Sequence, residues 1–378
     1  MKQRDPLLYH WVLFFFFQLC DRLKSMTDSR FHVNTMKSLY GRDLITTQDW
    51  SVEELEKALD LSFEMKANRY DHPLNNCLDR RTFFMFFYNP SVRTRQSFEA
   101  AATELGGHAQ FLEPKSMRLK SAKSAGETIE DAAQVMSRYA VGLGIRILET
   151  ALEYYGQGDE ILRQYAENAS IPIVSMAHDK FHPCQGLADV MGYRMHAGKN
   201  LKGKKIVQVW GKGELVRSWC SVQESILINS RLGMDVTLAH PPGYDLDPEV
   251  IKWCEENAEA ADSTFEVVHD LEGGYNDADV VYSRNWMTAG FYEDMIKSGV
   301  DEAKKKEIAI AAKYDDWIAT KEWMSHTNDA FFTHCGPVDR NAEVTDEVCD
   351  SPKSIVYDVA ENRLHVQKAI MALTMGKQ

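Results

Sequence analysis

An α/β fold with two doubly wound parallel-sheet domains is what this sequence predicts, and three observations carry the prediction. From about Leu44 onward, short runs rich in β-branched and aromatic residues alternate with segments whose apolar residues recur every three or four positions. That alternation is the pattern of strands and crossover helices in a parallel sheet. A chain of 378 residues is long enough for two domains of ordinary size, each with a substantial core. Near the middle, the glycine- and lysine-rich stretch Ala197-Gly198-Lys199-Asn200-Leu201-Lys202-Gly203-Lys204 separates a helix from a strand and predicts the junction of two α/β halves.

In chain order, the segment Leu7 to Cys20 is strongly apolar but too short for a transmembrane helix. Lys2 and Arg4 precede it, yet no small-x-small cleavage site follows. Residues 1–43 are expected to form an extension outside the core fold. Strands are expected at Thr82–Tyr88, Val141–Ile147, Ile171–Ser175, Lys205–Trp210, Asp235–Ala239, Thr264–Val268, Val280–Ser283 and Phe331–His334. Helices are expected between them, as where Ile129, Ala132, Ala133, Met136 and Tyr139 share one face.

The formal net charge of -13 argues against general nucleic-acid binding, which needs a basic footprint. The seven cysteines are scattered without a C-x-x-C pair, which predicts reduced thiols in a cytoplasmic setting rather than a disulfide framework or a zinc site. No stable membrane association is expected.

The most informative stretch is Phe83-Phe84-Met85-Phe86-Phe87-Tyr88-Asn89-Pro90-Ser91-Val92-Arg93-Thr94-Arg95-Gln96-Ser97-Phe98-Glu99. An apolar strand stops at Asn-Pro, and a helical pattern follows in which Phe98, Ala101, Ala102 and Leu105 share one face before Gly106-Gly107. Two guanidiniums and two hydroxyls are thereby set at a helix start, where free N–H groups and the positive dipole end favour an anion. Arginine adds a planar fork suited to phosphate oxygens. The bland alternative is a solvated surface arginine; two arginines flanking a threonine favour a phosphate site.

Other clusters fall at predicted strand ends or helix starts, where open α/β sheets bind ligands. Arg146 ends a strand. His182-Pro183-Cys184-Gln185 opens a helix with proline in its first turn, and Gln185 next to His182 predicts two donors for one carbonyl. Thr333-His334-Cys335-Gly336-Pro337 sits at a sheet end, with no further ligands at zinc spacing. Val207-Gln208-Val209-Trp210-Gly211-Lys212-Gly213 has the look of a strand feeding a dinucleotide loop, but it lacks the third glycine and an acidic ribose partner at Ala239-His240.

Ser91-Val92-Arg93-Thr94-Arg95, Gly126-Glu127-Thr128-Ile129-Glu130-Asp131, His182-Pro183-Cys184-Gln185, His334-Cys335-Gly336-Pro337 and Glu361-Asn362-Arg363 occur in an order that resembles the aspartate/ornithine carbamoyltransferase superfamily, over roughly Leu44 to Gly376. The resemblance implies a carbamoyltransferase-type fold with a carbamoyl-phosphate domain over 44–180, completed by a C-terminal helix over 360–376, and an acceptor domain over 181–345. It also implies a homotrimer with active sites between subunits, and no cofactor or metal. Ser91, Val92, Arg93, Thr94 and Arg95 would hold the phosphate. Arg146, His182 and Gln185 would orient and polarise the carbamoyl group, Thr94 would join Arg146 and His182 as a donor, and Cys335, Gly336 and Arg363 would complete the site. Gly336 stands where the family has leucine.

For the acceptor, ornithine carbamoyltransferases carry aspartate-x-tryptophan where this chain reads Arg284-Asn285-Trp286. An arginine repels an ammonium and attracts a carboxylate. The resemblance is nearest the N-acetylornithine and N-succinylornithine enzymes, which implies an N-acylated ornithine as acceptor and a place in arginine biosynthesis. Ornithine itself or another amine, in a catabolic role, and a non-catalytic binding homologue are the alternatives. Arg284, Trp286 and the loop cation Lys123, with Arg118 and Lys120 beside it, are the candidate acceptor residues. The Gly211–Arg217 loop replaces a proline-rich loop of the acyl-ornithine enzymes, and the spacing to Gly233 is compatible with that subgroup's knotted backbone.

Overall fold

A computed structural model describes residues 39–114, 117, 119, 125–214 and 216–377. Two parallel sheets organise the chain. The first has four strands, β1 (Thr82–Phe87), β2 (His108–Leu112), β3 (Gly142–Ile147) and β4 (Ile173–His178), in the order β2-β1-β3-β4. The second has five, β5 (Lys205–Trp210), β6 (Asp235–Ala239), β7 (Phe265–Val268), β8 (Val280–Arg284) and β9 (Phe331–Thr333), in the order β7-β6-β5-β8-β9. Every ladder between them is parallel.

β1 shows why a continuous apolar run suits such a sheet. Phe83, Met85 and Phe87 enter the core on one face, and Phe84 and Phe86 enter a separate core on the other. A strand covered by helices on both faces has no polar side to show. Of the nine strands, β2 was not among those expected. His108-Ala109-Gln110-Phe111-Leu112 is an edge strand whose side chains are exposed or half-buried, so it lacks the apolar run that marks a central strand.

The helix Pro183–His196 is buried from Pro183 to Tyr193. It touches β4, the helix Cys220–Arg231 that follows β5, and the helices Val52–Ala67 and Val356–Met375. The last of these returns to the first sheet, packing on Val92–Glu104. There Lys368 Nζ donates to Glu104 Oε2 at 3.0 Å and to the Arg69 carbonyl at 2.8 Å. Arg194 pairs both Nη atoms with Glu56 at 2.6 and 2.7 Å. A further latch spans the sheets, with Lys180 Nζ 3.0 Å from Asp247 and Tyr155 OH donating to the same carboxylate at 2.9 Å.

The described part of the N-terminal extension is not wholly apart from the core. Leu39 is fully buried, and Gly41 N–H donates to the Thr374 carbonyl at 2.8 Å. Among the described residues, no helix is long and apolar enough to cross a membrane, and no cluster of His, Cys, Asp or Glu is arranged to hold a metal ion.

Candidate active site

The carboxyl ends of β1, β3 and β4 face those of β5, β8 and β9 across a cavity of about 160 Å³. Ser91 caps the helix Val92–Glu104 by accepting from Thr94 N–H at 3.3 Å. That leaves other first-turn N–H groups without helical acceptors. Arg93 and Thr94 point into the cavity from this turn, and Arg146 from the end of β3. Arg363 arrives from the C-terminal helix, its Nη2 donating to Thr94 Oγ1 at 2.8 Å.

The Nε atoms of Arg93, Arg146 and Arg363 are buried with no hydrogen-bond partner. Burial lowers the pKa of all three, and Arg146 and Arg93 bring Arg363 further down, to about 10. Guanidinium remains charged at neutral pH even so. Three cations gathered at a helix N-terminus are an anion site in charge and geometry.

His182 precedes Pro183, and its carbonyl accepts the first helical bonds from Gln185 and Gly186. Burial, then the charges of Arg363, Arg146 and Arg284, hold its pKa well below the ordinary value. The ring is therefore neutral at pH 7 and can donate from one nitrogen. Gln185 differs from the expectation of two donors to one carbonyl. Its Nε2 is committed to Asp189 Oδ1 at 2.9 Å, and Oε1 is left without a protein partner. Gln185 thus presents an acceptor. Asp189 is pushed up to about 8 by burial, with Gln185 opposing.

The opposite wall is built differently. Arg284 ends β8, buried, with Nε and Nη1 unpartnered. Burial alone would lower its pKa, but Cys335, Tyr282 and Glu343 together raise it. Cys335 lies 3.5 Å from Ser221 Oγ. Burial pushes the thiol up, but Arg284, His334 and hydrogen bonds from Ser221 and Tyr282 outweigh it and bring the pKa down to about 7. Gly336 has a φ of +67°, which favours glycine, and a Cβ there would sit 3.2 Å from Arg93 Cζ, so a side chain at this position would press on that guanidinium.

Behind this wall Glu343 is fully buried. It accepts from Asn285 N at 2.7 Å and Asp339 N at 2.8 Å, and lies 3.0 Å from His334 Nε2. Burial would raise its pKa, yet His334, then Arg284 and Arg217, hold it at about 2. Arg217 pairs with Asp339.

Several expected site residues lie elsewhere. Val92 is 70% exposed, and Arg95 pairs with Glu99 at 2.9 Å and stacks 3.9 Å over the Phe111 ring. Both line a separate, larger depression of about 740 Å³ on the outer side of the Val92–Glu104 helix, so neither touches the cavity that Arg93 enters. The helical period explains this: positions 92 and 95 are one turn apart and face away from 93 and 94. Trp286 is buried in the second half, its Nε1 donating to the Tyr244 carbonyl at 2.8 Å beside a narrow crevice that it shares with Val216. Lys123, Arg118 and Lys120 lie outside the described residues.

The cavity also has walls that the motifs did not single out: Glu149, Arg217, Ser218, Cys220 and Ser221. Arg217 belongs to the Gly211–Arg217 loop after β5, whose described residues form no helix at its glycines, the next helix starting at Cys220. That is not the strand-loop-helix of a dinucleotide site. Glu149 stands three residues beyond Arg146, and its only sequence signal was a carboxylate just past a strand end.

Comparison with known proteins agrees with this geometry. Residues 42–195 match the model of the aspartate/ornithine carbamoyltransferase carbamoyl-P binding domain, and residues 202–374 that of the Asp/Orn binding domain. The ornithine carbamoyltransferase of Thermococcus kodakarensis is 38% identical over 90% of this chain and 98% of its own length. The N-acetylornithine carbamoyltransferase of Xanthomonas campestris is 34% identical over 89% of this chain and 98% of its own. Among solved structures, acetylornithine transcarbamylase complexed with acetylcitrulline superposes with a TM-score of 0.81 at 34% identity, covering 89% of this chain and all of that one.

Proposed function

The chain belongs to the aspartate/ornithine carbamoyltransferase family, and from that premise we propose that its cavity transfers the carbamoyl group of carbamoyl phosphate to the side-chain amine of an N-acylated ornithine, with release of phosphate. The observation that carries the reading is the set of three arginines, Arg93, Arg146 and Arg363, gathered at one helix start with buried, unpartnered Nε atoms. A doubly charged phosphate would supply the missing anion. Thr94, Arg146 and neutral His182 would donate to the carbonyl oxygen as it gains charge; one such donor is worth about 3 kcal/mol. Gln185 Oε1 and the backbone carbonyls of Cys335 and Gly336 would accept from the carbamoyl NH₂. Holding amine and carbamoyl carbon in contact adds several kcal/mol of proximity.

Arg284 sets the acceptor. A buried guanidinium with two free N–H positions repels the ammonium of free ornithine and suits a carbonyl or carboxylate oxygen. An α-amino group masked by an acyl group satisfies that wall. That acceptor would place the enzyme in arginine biosynthesis, and the scattered cysteines fit a cytoplasmic setting. Residues 44–180 with 360–376 would form the carbamoyl-phosphate unit and 181–345 the acceptor unit. In a homotrimer the outer depression lined by Val92 and Arg95 would be covered by a neighbouring subunit, with Lys123 of that neighbour reaching the acceptor.

The test is ureido-group colorimetry with carbamoyl phosphate and a panel of amines. N-acetylornithine or N-succinylornithine should turn over fastest. Faster turnover of free ornithine would overturn the reading of Arg284, and no turnover with any amine would leave a binding protein. Light scattering should give three times the chain mass.

A further inference from the structure

The cavity holds one carboxylate that the reaction as described leaves idle. Glu149 stands two residues past the end of β3 and begins a 3-10 turn, Glu149–Ala151, whose position is set by Asn89. Asn89 Oδ1 accepts from Leu148 N–H at 2.7 Å, and its Nδ2 donates to Thr150 Oγ1 at 2.7 Å. Asn89, two residues past the end of β1, thus clamps both neighbours of Glu149. Its Oε2 is buried with no hydrogen-bond partner, although the side chain lines the same cavity as Arg146, His182 and Arg284. An unpaired buried carboxylate oxygen is costly unless a ligand donates to it.

Resting on the carbamoyl-transfer reading above, we propose that Glu149 receives the acceptor amine, with Oε2 as the general base that removes its proton before attack. An alkyl amine enters largely as ammonium at pH 7, its pKa being near 10. Two protons must leave its nitrogen. Glu149 takes the first, freeing the lone pair that forms the C–N bond. The second passes from the tetrahedral nitrogen to the departing phosphate oxygen as the C–O bond breaks with its electron pair, giving HPO₄²⁻. Glu149 returns its proton to solvent on product release.

Charged and titratable groups face Glu149 from every side: Arg146 on β3, Arg284 on β8, Lys304 and Tyr292 from the helices after β8, and Cys220 from the helix after β5. Burial raises the carboxyl above its ordinary value, opposed by its own backbone N–H and by Arg146, Arg284 and Lys304. The cations keep it able to ionise, and the burial makes it a stronger base than a surface glutamate.

The experiment compares wild type with Glu149→Gln, using carbamoyl phosphate and N-acetylornithine from about pH 6 to about pH 9.5, with calorimetric binding of carbamoyl phosphate alone as the fold control. At pH 7, kcat/KM should fall about 10²- to 10³-fold while carbamoyl-phosphate affinity holds. The gap should close as pH approaches the amine pKa, because neutral amine then needs no base. A loss equal at every pH, turnover within about threefold of wild type, or loss of carbamoyl-phosphate binding would each overturn the role of Glu149 while leaving carbamoyl transfer intact. Absence of transfer by wild type to any amine would instead overturn the reading it rests on. Should Glu149→Gln not fold, Glu149→Asp keeps the charge and withdraws its reach, and a pH-independent loss there has the same overturning force.

Discussion

The two walls of the cavity hold similar numbers of cations but treat them in opposite ways. On the wall from the first sheet, Arg93 and Arg146 form no ion pair among the described residues, although Glu149 stands near Arg146, and Arg363 donates to the Thr94 hydroxyl. On the wall from the second sheet, Arg217 is paired with Asp339, and Glu343 lies close to His334 and Arg217. One wall waits for an anion from outside, and the other carries carboxylates of its own and leaves Arg284 open. A wall of unpaired cations is destabilising until ligand arrives and then gains strongly from it. A self-neutralised wall holds its shape whether or not substrate is bound, which suits a surface that must discriminate between acceptors.

The comparison can be broken most directly at Arg146. Arg146→Gln should lower kcat about 10²- to 10³-fold in the colorimetric assay, since it removes a cation aimed at the developing oxyanion; a change under fivefold would place that wall outside the chemistry. Next in size is Glu343→Gln on the self-neutralised wall. With the folded pKa near 2 against about 4.5 unfolded, Glu343 contributes about 3 kcal/mol that is fully present above pH 4.5 and is lost as pH falls toward 2. Guanidinium denaturation should therefore show a large gap between wild type and variant at pH 7 that narrows by pH 3. A gap constant with pH would mean the carboxylate is not held by its neighbours.

Ligand linkage sharpens the contrast further. Carbamoyl phosphate at a hundredfold excess over its Kd should stabilise the wild type by about 2.7 kcal/mol, seen as a higher Tm. Arg93→Gln should abolish the shift, and Arg284→Gln should leave most of it. The smallest effect expected is at Cys335. Its alkylation rate should rise through about pH 7, and Arg284→Gln should move that midpoint up by about one pH unit, since Arg284 is the foremost group lowering it. An unmoved midpoint would separate the thiol from the arginine.

Much of this was legible without coordinates, for reasons specific to each element. The buried strands were readable because buried parallel strands are apolar on both faces, as β1 shows, and the edge strand β7 because Phe265, Val267 and Val268 keep an apolar run even where half-exposed. β2 was not, because an edge strand needs only a half-buried face. The Ser91–Arg95 cluster marked a helix start, but only the 100° step between successive helical residues separates Arg93 and Thr94, which enter the cavity, from Val92 and Arg95, which do not. Gln185 was legible as a site residue, but its polarity toward the ligand depends on Asp189 one turn along. Glu149 carried no motif at all, and Arg217 closed the Gly211–Arg217 loop without being marked as a site residue.

Residue types and their local spacing settled the α/β alternation, the helix start that carries Arg93 and Thr94, and the family, because strands, helices and caps are decided by neighbours a few positions apart. The tertiary structure alone decided which charges are paired. Glu343 meets His334 nearby in the chain but Arg217 from a different loop, and Arg363 comes to Thr94 from the far end of the molecule. Charge compensation acts through space at a few ångströms, and spacing along a chain does not encode it.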